Sequence, residues 1–211
     1  MSDALERAWN SFSGGRAAEY LRTDGHADQS SLQTVIELLE QASNGRPLGV
    51  LDIGCGNGGL IEQLRAAGVR GRHVGVDFSE PLLAAARASV SDPEVMFVRD
   101  NVETLETIQG PFDVAVFSHV IEMLASPERA ILRARELAPL VIIRFFEPPE
   151  FDADTVELRE METGDGTVVP YLRRMMSRDY YRLILAKAGC RSVDVYRYFS
   201  KDQVHVLHFD G

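Results

Sequence analysis

The sequence predicts an α/β protein, a doubly wound, mostly parallel sheet of seven strands that ends in an antiparallel hairpin. Three observations predict it. Short apolar runs alternate with stretches of helical period from about residue 46 to 146, a rhythm that builds parallel sheets with right-handed crossovers. A glycine-dense turn follows the first apolar run. Two alternating segments near the end are joined by only Ser200-Lys201-Asp202, and strands that close together pair antiparallel.

Residues from about 4 to 44 read as helical, with Leu32, Val35, Ile36 and Leu39 on one face. Asn44-Gly45 stops that helix, and Pro47 turns the chain into a first strand, Val50 to Ile53. Leu60, Ile61 and Leu64 then recur at helical spacing until Gly68. Residues 72 to 77 form the second strand. Ser79 is the expected cap of the next helix, with Pro81 in its first turn and Leu82, Leu83 and Ala86 on its buried side. Val95 to Arg99 is the third strand. Gly110-Pro111 introduces the fourth at Phe112 to Phe117, Ser126-Pro127 opens another helix, and Leu140 to Phe146 is the fifth strand. Residues 147 to 176 show no sustained period and read as an insertion over the sheet edge or mouth. Ser177 caps a helix ending at Gly189, and Ser192 to Phe199 and Gln203 to Phe209 are the last two strands.

A chain of 211 residues with 45% apolar residues can bury one sizeable core. Cys55 and Cys190 lie far apart, which suggests neither a disulfide framework nor a Cys-rich metal site. The start Met1-Ser2-Asp3-Ala4-Leu5-Glu6-Arg7 has no basic, apolar leader pattern, and no run approaches bilayer length. A cytoplasmic location is therefore expected. The net charge of -10 argues against nucleic acid or an anionic membrane as the main partner, because binding phosphate needs clustered basic surface.

The chemistry concentrates in Val50-Leu51-Asp52-Ile53-Gly54-Cys55-Gly56-Asn57-Gly58-Gly59, followed by Gly75-Val76-Asp77-Phe78-Ser79. An apolar run, a glycine turn, a helix and a second apolar run ending in an acid form a nucleotide-binding βαβ signature. Gly54, Gly56 and Gly59 also satisfy the dinucleotide spacing G-x-G-x-x-G. Asp52 distinguishes the two readings, since a pyrophosphate beside it would meet a like charge, whereas an ammonium group would be attracted. S-adenosylmethionine carries such an ammonium and a ribose whose hydroxyls an acid can accept.

These two motifs, continued through Phe112-Asp113-Val114-Ala115-Val116-Phe117-Ser118-His119-Val120-Ile121-Glu122-Met123-Leu124, resemble the class I S-adenosylmethionine-dependent methyltransferases. The likeness is strongest from about 46 to 146 and implies a Rossmann-like fold, S-adenosylmethionine as cofactor and S-adenosylhomocysteine as product. It implies Asp52 on the methionine ammonium side, Gly54, Gly56 and Gly58 at close backbone approach, and Asp77 on the ribose. Asp100 with Asn101 matches the position that meets the adenine amino group. Cys55, Phe78, Ser118 and His119 fall within or beside the same motifs and are expected to line the cofactor. On this reading the single domain divides into a helical lid (1–45), a nucleotide-binding core (46–146), an insertion over the substrate pocket (147–176) and a C-terminal helix with hairpin (177–211).

His119 leaves the fourth strand at the expected cleft mouth, and histidine accepts protons near neutral pH. Base catalysis, pocket lining and plain loop packing all remain open for it. Glu122 would complete a His-x-x-Glu pair, but two ligands without a third do not make a metal site, and none is expected. Glu147 follows the fifth strand and is a second candidate proton acceptor, with a solvated or Arg-paired carboxylate as its plainer reading. His205 and His208 fall at odd spacing on the last strand and face opposite ways. Tyr20 and His26 are lid candidates for contacting the acceptor. Arg173, Arg174 and Arg178 with Tyr171 could hold an anionic acceptor, although an acid-paired surface is the simpler reading.

The expected acceptor is an oxygen or nitrogen of a small-molecule metabolite. Base-amine methylation by such enzymes uses an Asp/Asn-Pro-Pro-aromatic run after the fourth strand, where this chain has Ser118-His119-Val120-Ile121. Two other readings stay open: an NAD(P)-dependent oxidoreductase, and a non-catalytic domain that binds S-adenosylmethionine or S-adenosylhomocysteine.

Overall fold

A computed structural model describes residues 9–10, 29–146, 154–162, 168–198 and 202–209. Its strands are β1 (Val50–Ile53), β2 (His73–Asp77), β3 (Val95–Arg99), β4 (Val114–Ser118), β5 (Leu140–Phe146), β6 (Thr155–Glu162), β7 (Val168–Met175), β8 (Cys190–Arg197) and β9 (Asp202–Phe209). Seven of them form one sheet in the order β3-β2-β1-β4-β5-β9-β8. The first five strands are parallel, and β9 runs antiparallel to both β5 and β8. The expected sheet and terminal hairpin are therefore present, with ends displaced by one to two residues in several strands.

The helices are α1 (Gln29–Ser43), α2 (Gly59–Ala66), α3 (Glu80–Ser89), α4 (Pro127–Leu137) and α5 (Arg178–Lys187). Strands β1 and β2 are buried at every position and β4 at all but its last, as continuous apolar runs covered on both faces require. Alternate residues feed two cores. Val50, Val114, Val116, Ile142, Val204 and Val206 pack with Val35, Ile36 and Leu39 of α1 and Leu60 and Leu64 of α2. Leu51, Ile53, Ala115, Phe117, Val141 and Ile143 pack on the other face with α4 and α5. Helix α3 connects β2 to β3.

Asn44 and Gly45 both adopt positive φ at the end of α1, as the helix-stop reading requires. Ser177 caps α5 by accepting from the Tyr180 N–H at 3.1 Å. Ser79 behaves differently from expectation: its side chain makes no capping bond, because its hydroxyl donates to the Trp9 carbonyl at 2.7 Å. Ser126 also lacks a side-chain capping bond.

The segment read as aperiodic contains the β6–β7 pair in full antiparallel register. Its alternation was hidden because charged residues interrupt both faces, Glu157 and Arg159 on one and Glu160 and Glu162 on the other. Val169 and Tyr171 of β7 pack with Leu82 of α3 and with Trp9. A 3-10 turn over Ile121–Met123 lies beside β7. The hairpin is thereby anchored near the C-terminal ends of the parallel strands. Most of residues 1–28, and with them most of the helical lid expected over 1–45, lie outside the described residues.

Candidate functional site

The sheet changes direction of winding between β1 and β4, which are neighbours although β2 and β3 intervene in sequence. Ligands in open α/β sheets bind in the crevice beyond the strand C-termini at such a switch point. The glycine turn after β1 and the Ser118-His119 exit from β4 border it here. Gly54, Gly56 and Gly58 all have positive φ. A Cβ on Gly54 would meet Val120 at 2.4 Å, so the two loops approach as closely as backbone allows.

Two acids lie under this turn. Asp77 is buried at the end of β2, where its Oδ2 accepts from the Gly56 N–H and its Oδ1 from the Ser79 N–H, both at 2.9 Å. It therefore pins the turn that it was expected to complement. Burial raises its pKa, and the N–H donors of Ser79, Gly56 and Phe78 oppose the rise. Asp52 is 2% exposed, and its Oδ2 has no hydrogen-bond partner among the described residues. Burial, and then the Asp77 charge, push its carboxyl up to about 7. A carboxylate in that position has no cation beside it among the described residues. An ammonium group supplies one, whereas a pyrophosphate would add to the repulsion.

Cys55 is buried in the same turn, its thiol raised by burial and by both acids and pointing to the Gly56 carbonyl at 3.7 Å. Phe78 is half-buried, and its carbonyl accepts from Arg99 Nε at 3.1 Å. The Asp100 carboxylate caps its own loop: Oδ1 accepts from the Asn101 N–H, and Oδ2 from the N–H and hydroxyl of Thr107, each at 2.7 Å. Asn101 Oδ1 accepts from the Glu103 N–H at 2.9 Å. Both side chains thus have local hydrogen-bonding tasks at the end of β3, the position expected to meet the adenine amino group.

A second polar group sits where β4 and β5 end and β9 begins. Ser118 lies opposite Arg144 in the parallel register, and Arg144 is followed two residues later by Phe146, which faces Asp202. Arg144 Nη1 donates to Ser118 Oγ at 3.1 Å and Nη2 to Asp202 Oδ2 at 3.2 Å. Arg144 Nε donates to Ser31 Oγ of α1 at 2.7 Å, and that hydroxyl donates on to Asp202 Oδ2 at 2.6 Å. His119 takes φ +54, a left-handed conformation that costs a non-glycine residue about 1 kcal/mol or more. Its Nδ1 lies 3.4 Å from Glu122 Oε1 and its Nε2 3.4 Å from Asp202 Oδ2. Burial alone would lower its pKa, but the two carboxylates outweigh it and the ring is raised above its ordinary value.

The sequence reading missed Arg144, Asp202 and Ser31. A signal existed for one of them: Arg144 is the single charge in Leu140-Val141-Ile142-Ile143-Arg144-Phe145-Phe146, and a charge inside a buried strand needs a partner. Asp202 was read as part of a turn. Ser31 carried no signal in sequence.

Of the acceptor candidates, Tyr20, His26 and the second proton acceptor Glu147 lie outside the described residues. Tyr171 packs beside Trp9 with ring centroids 6.4 Å apart. Arg173 donates to Glu157 at 3.2 Å, an acid pairing, whereas Arg174 donates to the Tyr180 hydroxyl at 3.1 Å. His205 is buried between the Tyr181 hydroxyl and Gln203, and burial followed by Arg197 lowers it to about 4. His208 instead pairs with Asp194 at 2.8 Å, so the two histidines face different surroundings. No group of three or more metal-ligating side chains occurs among the described residues.

A family model described as a methyltransferase domain matches residues 50–138. The trans-aconitate 2-methyltransferase of Methylobacterium nodulans is 29% identical over 86% of this chain and 70% of its own length. A malonyl-[acyl-carrier protein] O-methyltransferase of Halalkalibacterium halodurans is 26% identical over 60% of this chain and 50% of its own, so the chain spans only half of that relative. Among solved structures, an amino pentose methyltransferase from Micromonospora echinaspora with SAM bound superposes with a TM-score of 0.67 at 18% identity, covering 93% of this chain and 96% of that one.

Proposed function

We propose that this chain, which belongs to the class I S-adenosylmethionine-dependent methyltransferases, transfers a methyl group to an oxygen or nitrogen of a small-molecule metabolite. The observation that carries the reading is Asp52, a buried carboxylate with an unpartnered oxygen beneath a positive-φ glycine turn. When bound, S-adenosylmethionine supplies an electrophilic sulfonium methyl. Asp52 would then face the ammonium, the Gly54 to Gly58 turn would approach the amino-acid part, and Asp77 would accept from the ribose through lone pairs that Gly56 and Ser79 leave open.

The protein's remaining task is to hold the acceptor in line and exclude water. Ser118 and His119 border the crevice from β4, while Tyr171 of the hairpin packs with Trp9 and with Leu82 of α3. An acceptor already ionised at neutral pH, such as a carboxylate, needs no base, and both ring nitrogens of His119 face carboxylates. The relatives named for trans-aconitate and for malonyl-[acyl-carrier protein] support a carboxylate-bearing acceptor. The net charge of -10 offers no broad cationic surface for a polyanion.

The test is to incubate purified protein with labelled S-adenosylmethionine and a fractionated metabolite extract. Label transfer into a low-mass acceptor is the expected result. Absence of binding to both S-adenosylmethionine and S-adenosylhomocysteine would overturn the reading.

A further inference from the structure

We propose that Asp202 is a positioning residue of the methyl-transfer site: with Glu122 it brackets the His119 ring, so that His119 holds the exit of β4 in place as an imidazolium and does not serve as the base. The proposal rests on the methyl-transfer reading for its kinetic consequences, but not for its structural ones.

Three observations converge on it. Each ring nitrogen of His119 lies 3.4 Å from a carboxylate oxygen, Nδ1 from Glu122 and Nε2 from Asp202. A neutral imidazole has one N–H and one lone pair, so it would turn a lone pair toward one of the two carboxylates. An imidazolium gives both a proton to face. A general base needs the opposite, a ring nitrogen aimed at the acceptor's proton.

The second observation is charge balance. Among the described residues, the charged groups facing the ring are Glu122 from the 3-10 turn, Asp202 from β9 and Arg144 from β5, whose guanidinium also donates to the hydroxyls of Ser31 and Ser118. Within that described set, Arg144 and a charged His119 match the two carboxylates one for one. With His119 neutral, the set would carry a net negative charge, which a low-dielectric interior penalises.

The third is backbone geometry. His119 is held at φ +54, and its N–H donates to the Arg144 carbonyl at 2.7 Å. Arg144 also donates to Ser118 Oγ and to Asp202. The left-handed turn that borders the crevice is thus fixed from its backbone and from both of its side chains, with Asp202 Oδ2 accepting from Ser31 and Arg144 and lying 3.4 Å from the ring Nε2. Strain of this kind persists only where the surroundings over-determine it.

The test combines a ring titration with kinetics on the full chain. Side-chain NMR of the five histidines should show His119, identified by its loss in His119→Gln, titrating above the ordinary histidine value. Asp202→Asn, which keeps shape and removes charge, should lower that midpoint by about one pH unit or more, and Glu122→Gln should lower it in the same direction. In turnover assays kcat should fall as pH rises through the His119 midpoint, and the Asp202→Asn profile should move to lower pH with S-adenosylhomocysteine affinity within about threefold of the parent, as one lost charge outside the glycine turn predicts. A midpoint unmoved in both variants, or kcat that rises through it as a base requires, would overturn the proposal. Loss of methyl transfer in the parent protein would sink the functional reading, and the ring titration would then decide the positioning role by itself. Should Asp202→Asn fail to fold, Glu122→Gln carries the same comparison.

Discussion

Two acidic groups lie at the C-terminal ends of one sheet, and they solve the problem of buried charge in opposite ways. At β5 and β9, Asp202 meets Arg144, Ser31 and His119, and its pKa falls below the ordinary carboxylate value because these partners outweigh burial. At β1 and β2, Asp52 and Asp77 lie together, the Asp77 oxygens accept from backbone N–H groups, and both acids are raised. The difference indicates which group is complete within the chain and which awaits a ligand. The Asp202 cluster holds the molecule's own loops. The Asp52 turn holds two raised acids and no cation among the described residues.

The largest expected break of that contrast is Arg144→Ala. It leaves Asp202 buried with one of its two described cations removed, and breaking such a pair costs about 3–5 kcal/mol. Urea denaturation would show it as a lowered midpoint. A loss under about 1 kcal/mol would mean that the cluster is solvated after all.

Asp52→Asn should do the reverse in the ligand-free protein. A carboxyl whose folded pKa is raised to about 7 stabilises the fold at low pH and loses that contribution as pH climbs through the raised value. At pH 8 the asparagine variant should therefore be more stable than the parent, by an amount on the order of 2–4 kcal/mol. The gap should close as pH falls toward 4. A destabilised variant at pH 8 would reveal a cation at Asp52 and erase the contrast.

Asp77→Ala should weaken S-adenosylmethionine binding by about 1–3 kcal/mol, because the Gly56 and Ser79 donors and a ribose hydroxyl lose their acceptor. Calorimetric titration measures it. The smallest expected effect is Arg173→Ala, whose partly exposed pair with Glu157 is worth about 0–1 kcal/mol to stability. A large rise in acceptor KM in that variant would instead assign Arg173 to acceptor binding, the role its sequence context suggested.

Both groups lie on the same sheet, yet only one was legible in sequence. The Asp52 turn is local: its acid, glycines and following helix fall between Asp52 and Ala66, and Asp77 follows at the distance that a βαβ unit imposes. The Asp202 cluster is assembled from α1, β4, β5 and β9, so its members meet only through strand order and register. His119 was visible as a residue, but its carboxylate neighbours across the sheet were not. The β6–β7 pair stayed hidden for a related reason. Two strands that form a separate sheet, with Leu158 67% and Val156 58% exposed, do not show the apolar alternation that marks a half-buried strand.

The most direct test of the central claim is proton counting as the glycine turn fills. Titration of S-adenosylhomocysteine at pH 6.5, in buffers of different ionisation enthalpy, gives the protons released per ligand bound. If the ammonium settles on Asp52, the parent protein should release more than about half a proton beyond what Asp52→Asn releases, the ligand's own ionisation cancelling between the two. Equal release from both proteins, or saturable binding of NAD with none of S-adenosylhomocysteine, would contradict it.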